Sequence, residues 1–98
     1  MRVTHHADGG GVRLALEGEL DIATVDVVGR HVDRALRARP GSLTVDLTQL
    51  HFCDSTGIST LLDARAAAAT RGARFQVVGA HGITRTVMRI LGVLDDLA

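Results

Sequence analysis

The sequence predicts a single α/β domain in which a mixed sheet of four to five strands carries helices mainly on one face. Short strand-like apolar runs alternate with segments of helical periodicity in the order β-β-α-β-α-β-α. The two strand–helix–strand units require right-handed crossovers, so their strands are expected to be parallel, while an N-terminal hairpin makes the sheet mixed. The 98 residues show no linker or repeat and suffice for one modest core, so we expect residues 1–98 to form one domain.

The composition excludes several classes of function. Hydrophobic residues make up 46% of the chain and aromatic residues 2%, so we expect an aliphatic core and no aromatic platform for stacking bases. Eleven acidic residues balance eleven arginines, so no basic surface for nucleic acid or an anionic membrane is expected. A single cysteine, no signal segment and no apolar run of membrane-spanning length lead us to expect a cytoplasmic protein.

The N-terminal segment predicts an antiparallel hairpin. Val3 to His6 is expected to be a short edge strand, and the glycines of Asp8-Gly9-Gly10-Gly11 permit the positive φ angles of a tight turn. Val12 to Glu17 alternates apolar and polar residues, which is typical of a half-buried strand. Gly18-Glu19-Leu20-Asp21 is expected to close that strand.

The first helix is predicted to begin at Asp21 or Thr24 as its N-cap and to stop at Pro40-Gly41. Gly29 in its interior should weaken the helix by about 1 kcal/mol relative to alanine. Its apolar stripe at helical spacing consists of Ile22, Val25, Val28, Val32 and Leu36.

The second half of the chain predicts two more strands and two more helices. Leu43 to Leu47 is the third strand, and Thr48 to Cys53 is expected to carry the chain out of the sheet. A second helix from about Thr56 to Thr70 ends at Gly72, and Phe75 to Gly79 is the fourth strand. The inner stripe of the second helix is predicted to be Ile58, Leu61, Leu62, Ala66 and Ala69. The third helix is predicted to carry Ile83, Val87, Ile90 and Leu91 and to end at Gly92.

The stretch Asp54-Ser55-Thr56-Gly57 lies where the third strand must turn into the second helix. Asp, Ser and Thr side chains accept hydrogen bonds from the free N–H groups of a helix's first turn, and a nearby glycine lets the backbone bend. The Ser55 hydroxyl is therefore expected at the positive end of a helix. Two interpretations stay open: Ser55 only caps the helix, or it accepts a phosphate, which a helix N-terminus tolerates.

Catalytic and metal-binding interpretations fit these residues less well. Cys53 to Gly57 lacks the first glycine of the Gly-x-Ser-x-Gly nucleophile elbow, and nothing in the sequence places a histidine at the hydroxyl. Asp54 to Gly57 has one residue too many for the Asp-Ser/Thr-Gly loop of aspartic proteases. The histidines and Cys53 lack metal-ligand spacing, and no glycine-rich phosphate loop occurs. We therefore expect no cofactor and no metal, and a Cys53 that acts as a small buried residue.

Acidic residues end the second strand and precede the second helix. Glu19 and Asp21 lie in one of these loops and Asp54 lies in the other. If the two loops lie side by side, their carboxylates form an acidic patch suited to Arg or Lys of a partner protein.

Four segments of the sequence resemble the STAS domain, and within that family the bacterial anti-sigma factor antagonists. They are Gly18-Glu19-Leu20-Asp21, Val45-Asp46-Leu47, Phe52-Cys53-Asp54-Ser55-Thr56-Gly57-Ile58 and Gly72-Ala73-Arg74-Phe75-Gln76-Val77-Val78-Gly79. The likeness runs from about Val3 to Leu97.

The resemblance implies a protein that is not an enzyme. In its unphosphorylated form it would bind a serine-kinase anti-sigma factor and so free a sigma factor. The kinase would phosphorylate Ser55 and be released, and a PP2C-type phosphatase would reset the switch. The resemblance places the partner surface at Asp21, Asp54 and the first turn of the second helix with Thr56, Gly57 and Ile58, and Glu19 of the acidic patch is expected to join it.

One alternative within the family is a subunit of a membrane transport or lipid-trafficking complex, which docks through the same loop without phosphorylation. The family usually continues into a further C-terminal helix, whereas this chain ends at Ala98. The uncovered face of the sheet would allow a weak homodimer, although no residue requires one.

Overall fold

The computed structural model describes residues 1–90 of the chain. The predicted stripe of the third helix and its predicted stop at Gly92 lie outside the residues or side chains that it describes. The elements in chain order are β1 (Arg2–Asp8), β2 (Gly11–Leu20), α1 (Val25–Arg37), β3 (Ser42–Cys53), α2 (Ser55–Thr70), β4 (Arg74–Val78) and α3 (Gly82–Ile90).

Four strands form one mixed sheet in the order β1-β2-β3-β4. β1 pairs with β2 in antiparallel fashion, whereas β2, β3 and β4 are parallel. Each crossover helix therefore moves the chain one strand further in the same direction, which places α1 and α2 side by side on one face. The predicted fold class is confirmed. Among the described residues, no helix has the length and apolar character needed to cross a bilayer.

The core lies between the sheet and these two helices because the parallel strands alternate apolar and polar residues. Leu43, Val45 and Leu47 of β3 point toward the helices and are at most 1% exposed. On the opposite face, Arg13 Nη1 donates to Asp46 Oδ2 at 2.8 Å. Burial opposes the charge of Asp46, but hydrogen bonds from Thr48 and Arg13 outweigh it and hold the pKa of this carboxyl below its usual range.

The expected exit of the chain at Thr48 to Cys53 is wrong, because β3 stays in the sheet as far as Cys53. It does so because β2 also continues beyond Glu17, to Leu20. Gly18 has a φ of 117° and lies beside a shift in the β2–β3 register. This irregularity lets the two strands remain paired up to the edge where the functional loops begin.

Two predicted helix faces need correction. Ile22 is 79% exposed and precedes α1, whose N-cap is Thr24, so it is not part of the buried stripe. On α2, Ala66 and Ala69 are exposed. The alanines that pack on the sheet are instead Ala64 and Ala68, because a helical face recurs three to four residues apart and the stripe continues from Leu61. In a run of four alanines, composition does not reveal which members face inward.

The end of α2 follows the prediction. Gly72 has a φ of 72°, its N–H donates to the Ala69 carbonyl at 3.1 Å, and the Ala73 N–H donates to the Ala68 carbonyl at 2.9 Å. These two bonds form a Schellman motif, which satisfies carbonyls that the helix leaves unpaired.

Replacing Gly29 with alanine should stabilise the protein. Gly29 lies inside α1, and no heavy atom of another part of the chain lies within 4 Å of where a Cβ would stand. We expect Gly29→Ala to raise the free energy of unfolding by about 0.5–1 kcal/mol, because alanine is the better helix former. Urea denaturation measures this, and a lower stability than that of the unmodified protein would contradict the open space assigned to this position.

Candidate functional site

The candidate site lies at the edge of the sheet where the parallel strands β2 and β3 end. Leu20 and Cys53, the last residues of the two strands, are register partners. The Asp54 N–H then donates to the Leu20 carbonyl at 3.3 Å. The residues that follow the two strands, Asp21 and Asp54, therefore leave the sheet beside each other, as the predicted juxtaposition of the two loops requires.

Asp54 is the N-cap of α2. Its backbone is extended, with φ −99° and ψ −173°, and its Oδ1 accepts a hydrogen bond of 3.0 Å from the Gly57 N–H. The Ile58 N–H donates to the Asp54 carbonyl at 3.0 Å. The interpretation of Ser55 as the helix cap is therefore wrong, because the neighbouring carboxylate already fills that position.

Gly57 brings the first turn of α2 into close contact with the end of β2. A Cβ on this residue would lie 2.8 Å from the Leu20 carbonyl oxygen, from Leu20 Cγ and from Cys53 Sγ. Because one of these atoms belongs to the backbone, a side chain here would force the helix and the strand apart. Glycine at position 57 thus sets how closely α2 approaches the loop that follows β2.

Ser55 is the first residue of α2, and its side chain is exposed. Within the described part of the chain, no hydrogen bond involves its hydroxyl and no histidine is bonded to it. Thr56, the neighbouring hydroxyl, is only partly exposed. The Ser55 oxygen is therefore accessible from outside the domain, and within the described residues no side chain is hydrogen-bonded to it.

A closed set of hydrogen bonds holds the acidic loop after β2. The Asp21 N–H donates to Thr24 Oγ1 at 3.0 Å, and Thr24 Oγ1 donates to the Glu19 carbonyl at 2.8 Å. Asp21 Oδ1 accepts from the Ala23 N–H at 3.0 Å. The Asp21 carboxylate is thereby oriented by its own loop. The Glu19 side chain stays exposed at the same edge.

Two exposed apolar residues at this edge were missed by the sequence reasoning. Phe52 is 48% exposed and pairs in register with Glu19, and Ile22 is 79% exposed beside Asp21. Phe52 is one of only two aromatic residues in the chain, and Ile22 lies ahead of the helix it was assigned to. The scarcity of aromatic residues and the position of Ile22 next to the acidic residue Asp21 could both have been noticed in the sequence. Phe52 and Ile22 add apolar contact area to an acidic surface.

The structure does not expose every predicted contact residue. Gly57 is buried and Ile58 is 4% exposed within the core, so they offer little surface, and their contact with a partner stays a prediction. Cys53 is half-buried, and burial together with the Asp54 charge raises the pKa of its thiol to about 11. At neutral pH this thiol stays protonated and is a poor nucleophile.

The sequence matches the family described as "Mlab, STAS domain" over residues 3–97. The chain belongs to the STAS domain family. It is 27% identical over 88 residues to the anti-sigma-F factor antagonist RsfB of Mycobacterium tuberculosis, covering 89% of this chain and 71% of that protein.

Solved structures share the fold of this STAS domain. An anti-sigma factor antagonist from Mycobacterium paratuberculosis superposes with a TM-score of 0.87 at 20% identity, covering 98% of this chain and 81% of that one. The phosphorylated form of the Bacillus cell fate determinant SpoIIAA gives a TM-score of 0.77 at 18% identity, covering 99% and 89%.

Substitutions of Asp54 and Ser55 test whether Asp54, and not Ser55, caps α2. We expect Asp54→Ala to lower the free energy of unfolding by about 1 kcal/mol, because the cap of α2 is lost. Ser55→Ala should change it by less than about 0.5 kcal/mol, because its hydroxyl has no partner to lose. Chemical denaturation of both variants measures the difference.

Asp54→Asn is the matched control, because asparagine caps helices as well as aspartate does and should retain most of the stability. A Ser55→Ala variant as unstable as Asp54→Ala would contradict the assignment of the cap.

Proposed function

We propose that this STAS domain is an anti-sigma factor antagonist that is controlled by phosphorylation of Ser55. In its unphosphorylated form it binds a serine-kinase anti-sigma factor and so frees a sigma factor. The observation that carries the proposal is the Ser55 hydroxyl, which is exposed and unbonded at the start of α2 while Asp54 fills the cap. The names of the mycobacterial relative and of the similar solved structures support the same function.

In this proposal the chain is a substrate and not an enzyme. The Ser55 oxygen attacks the γ-phosphorus of ATP held by the kinase, a new O–P bond forms, and the bond to the departing ADP breaks. A base of the kinase takes the hydroxyl proton, because the neighbouring Asp54 carboxylate is engaged with the Gly57 N–H as the helix cap. A PP2C-type phosphatase then hydrolyses the phosphoserine and restores the hydroxyl.

A phosphate on Ser55 acts through charge. It adds about −1.5 to −2 charge next to Asp54 and close to the acidic loop of Glu19 and Asp21. The N-terminus of α2 tolerates an anion, so the fold persists. Binding of the kinase, however, would require the phosphate to be desolvated against the ATP phosphates, and a penalty of about 3 kcal/mol weakens binding more than about a hundredfold.

The partner surface has a definable chemistry. Ile22 and Phe52 supply apolar area, and Glu19, Asp21 and Asp54 supply negative charge at the same edge of the sheet. Such a surface suits a partner with an apolar patch bordered by Arg or Lys, in which the aromatic residue is the natural energetic centre. Both the antagonist and its kinase would act in the cytoplasm.

Phosphorylation of Ser55 by a kinase-type anti-sigma factor tests the proposal. We expect the protein, incubated with such a kinase from the same genome and ATP, to gain one phosphate by intact-mass analysis. Ser55→Ala should gain none, because it lacks the acceptor oxygen.

The matched control is Thr56→Ala, which removes the neighbouring hydroxyl and should still be labelled. Phosphate that appears on Ser55→Ala would contradict the site. A wild-type protein that none of these kinases labels would instead favour the non-phosphorylated subunit of a membrane transport or lipid-trafficking complex.

A further inference from the structure

A groove of about 660 Å³ runs between α1 and α2, outside the Ser55 site. Its floor is apolar or small and its rim is charged. The lining residues are Val25, Asp26, Gly29, Arg30, Val32, Asp33, Thr60, Asp63, Ala64 and Ala67.

The groove begins at the edge of the sheet that carries Ser55. Both helices follow strands that end at this edge, so their first turns lie there and the helices extend away from it. Val25 and Asp26 come from the first turn of α1, and Thr60 comes from the second turn of α2. A protein that covers Ser55 can therefore continue into the groove without leaving the surface.

Gly29 leaves part of the groove open to another chain. It lies in the middle of α1, where glycine weakens a helix, and a Cβ there would meet nothing within 4 Å. Packing inside the domain therefore does not explain the absence of a side chain. A glycine in such a position permits another chain to approach the helix backbone closely.

The rim indicates the chemistry of an occupant. Asp26, Asp33 and Asp63 line the groove against a single Arg30, which leaves two net negative charges. Among the described residues, none of these three carboxylates forms a salt bridge, and the Arg13–Asp46 ion pair lies on the other face of the sheet. A partner with arginine or lysine at the rim would supply the missing charge.

We propose that this groove receives a basic amphipathic helix of the anti-sigma partner that acts on Ser55, an inference that rests on the proposed function. Helix α1 has 13 residues and is about 20 Å long, which is enough to accommodate several turns of a partner helix. The apolar side of that helix packs on the partly exposed Val25, Gly29 and Ala67, and its basic flanks face the aspartates, as in other helix-in-groove complexes.

A second copy of this chain is the less suitable occupant. A two-fold contact through the groove would set Asp26, Asp33 and Asp63 of one copy against the same residues of the other, and like charges oppose such a contact.

Two variants test the groove without touching the Ser55 loop. Gly29→Leu adds a side chain in the groove at a position where a Cβ meets no other atom within 4 Å, and Asp63→Arg reverses a charge on the rim at an exposed position. Each should weaken binding to the purified serine-kinase anti-sigma factor by more than about tenfold, measured by isothermal titration calorimetry. The control is Asp8→Arg, an exposed charge reversal at the hairpin end of the molecule, which should change the affinity less than about twofold.

Thermal melting followed by circular dichroism checks that each variant is folded. If Gly29→Leu is unstable, Asp63→Arg alone tests the groove. Unchanged affinity in both groove variants, together with weaker binding by Ser55→Glu, overturns this inference and leaves the proposed function standing. Weaker binding by the groove variants with no effect of Ser55→Glu supports the groove and contradicts the phosphorylation switch. Stronger self-association of the wild type than of Gly29→Leu would identify a second copy as the occupant and overturn the proposal.

Discussion

The contact between Gly57 and Leu20 is the constraint on which the functional edge of this domain depends. Because residue 57 has no side chain, the first turn of α2 lies directly on the last residue of β2, with Leu20 atoms 2.8 Å from where a Cβ would stand. Beside this contact, the Asp54 N–H donates to the Leu20 carbonyl, and the Asp54 carboxylate accepts from the Gly57 N–H within the first turn of α2. Since Asp54 takes the cap, the Ser55 hydroxyl is left outside the network. A larger residue at position 57 would separate the two loops and disturb the cap, the acidic patch and the display of Ser55 together.

The domain presents its function on a stable scaffold rather than through a moving part. Leu20 and Cys53 end two central strands whose inward residues are almost fully buried, so the loops that follow have well-supported starting points. The acidic loop is held by its own hydrogen bonds through Thr24. On such a scaffold a phosphate changes the charge of one surface and leaves the core intact. The groove between α1 and α2 begins at the same edge of the sheet, so one partner can contact Ser55 and the helices at once.

The parts of the fold that follow from local patterns were predictable from the sequence. The hairpin, the order of elements and the glycine end of α2 rest on turn residues and periodicity, which act within a few residues. The wrong predictions concern segments whose structure is set by contacts with distant parts of the chain. Thr48 to Cys53 has few strong strand formers and stays extended because β2 accompanies it. Ile22 fits a helical period but lies before the N-cap, and the alanines of α2 carry no polarity that distinguishes its faces. The sequence singles out Ser55 as a candidate site, but only the structure shows that Asp54 fills the cap. The groove could not be predicted, because it depends on the distance between two helices, and local sequence patterns do not determine that distance.

The central claim is that phosphate on Ser55 abolishes partner binding through its charge while the fold is kept. The most direct measurement compares the dissociation constants of the unphosphorylated and the fully Ser55-phosphorylated protein for the same kinase-type anti-sigma factor, with the melting temperature of both forms. We predict that affinity falls more than about a hundredfold while the melting temperature changes by less than about 4 °C. Equal affinities would contradict the switch. A loss of affinity that accompanies a large fall in melting temperature would show that phosphorylation acts by unfolding the domain and not by charge.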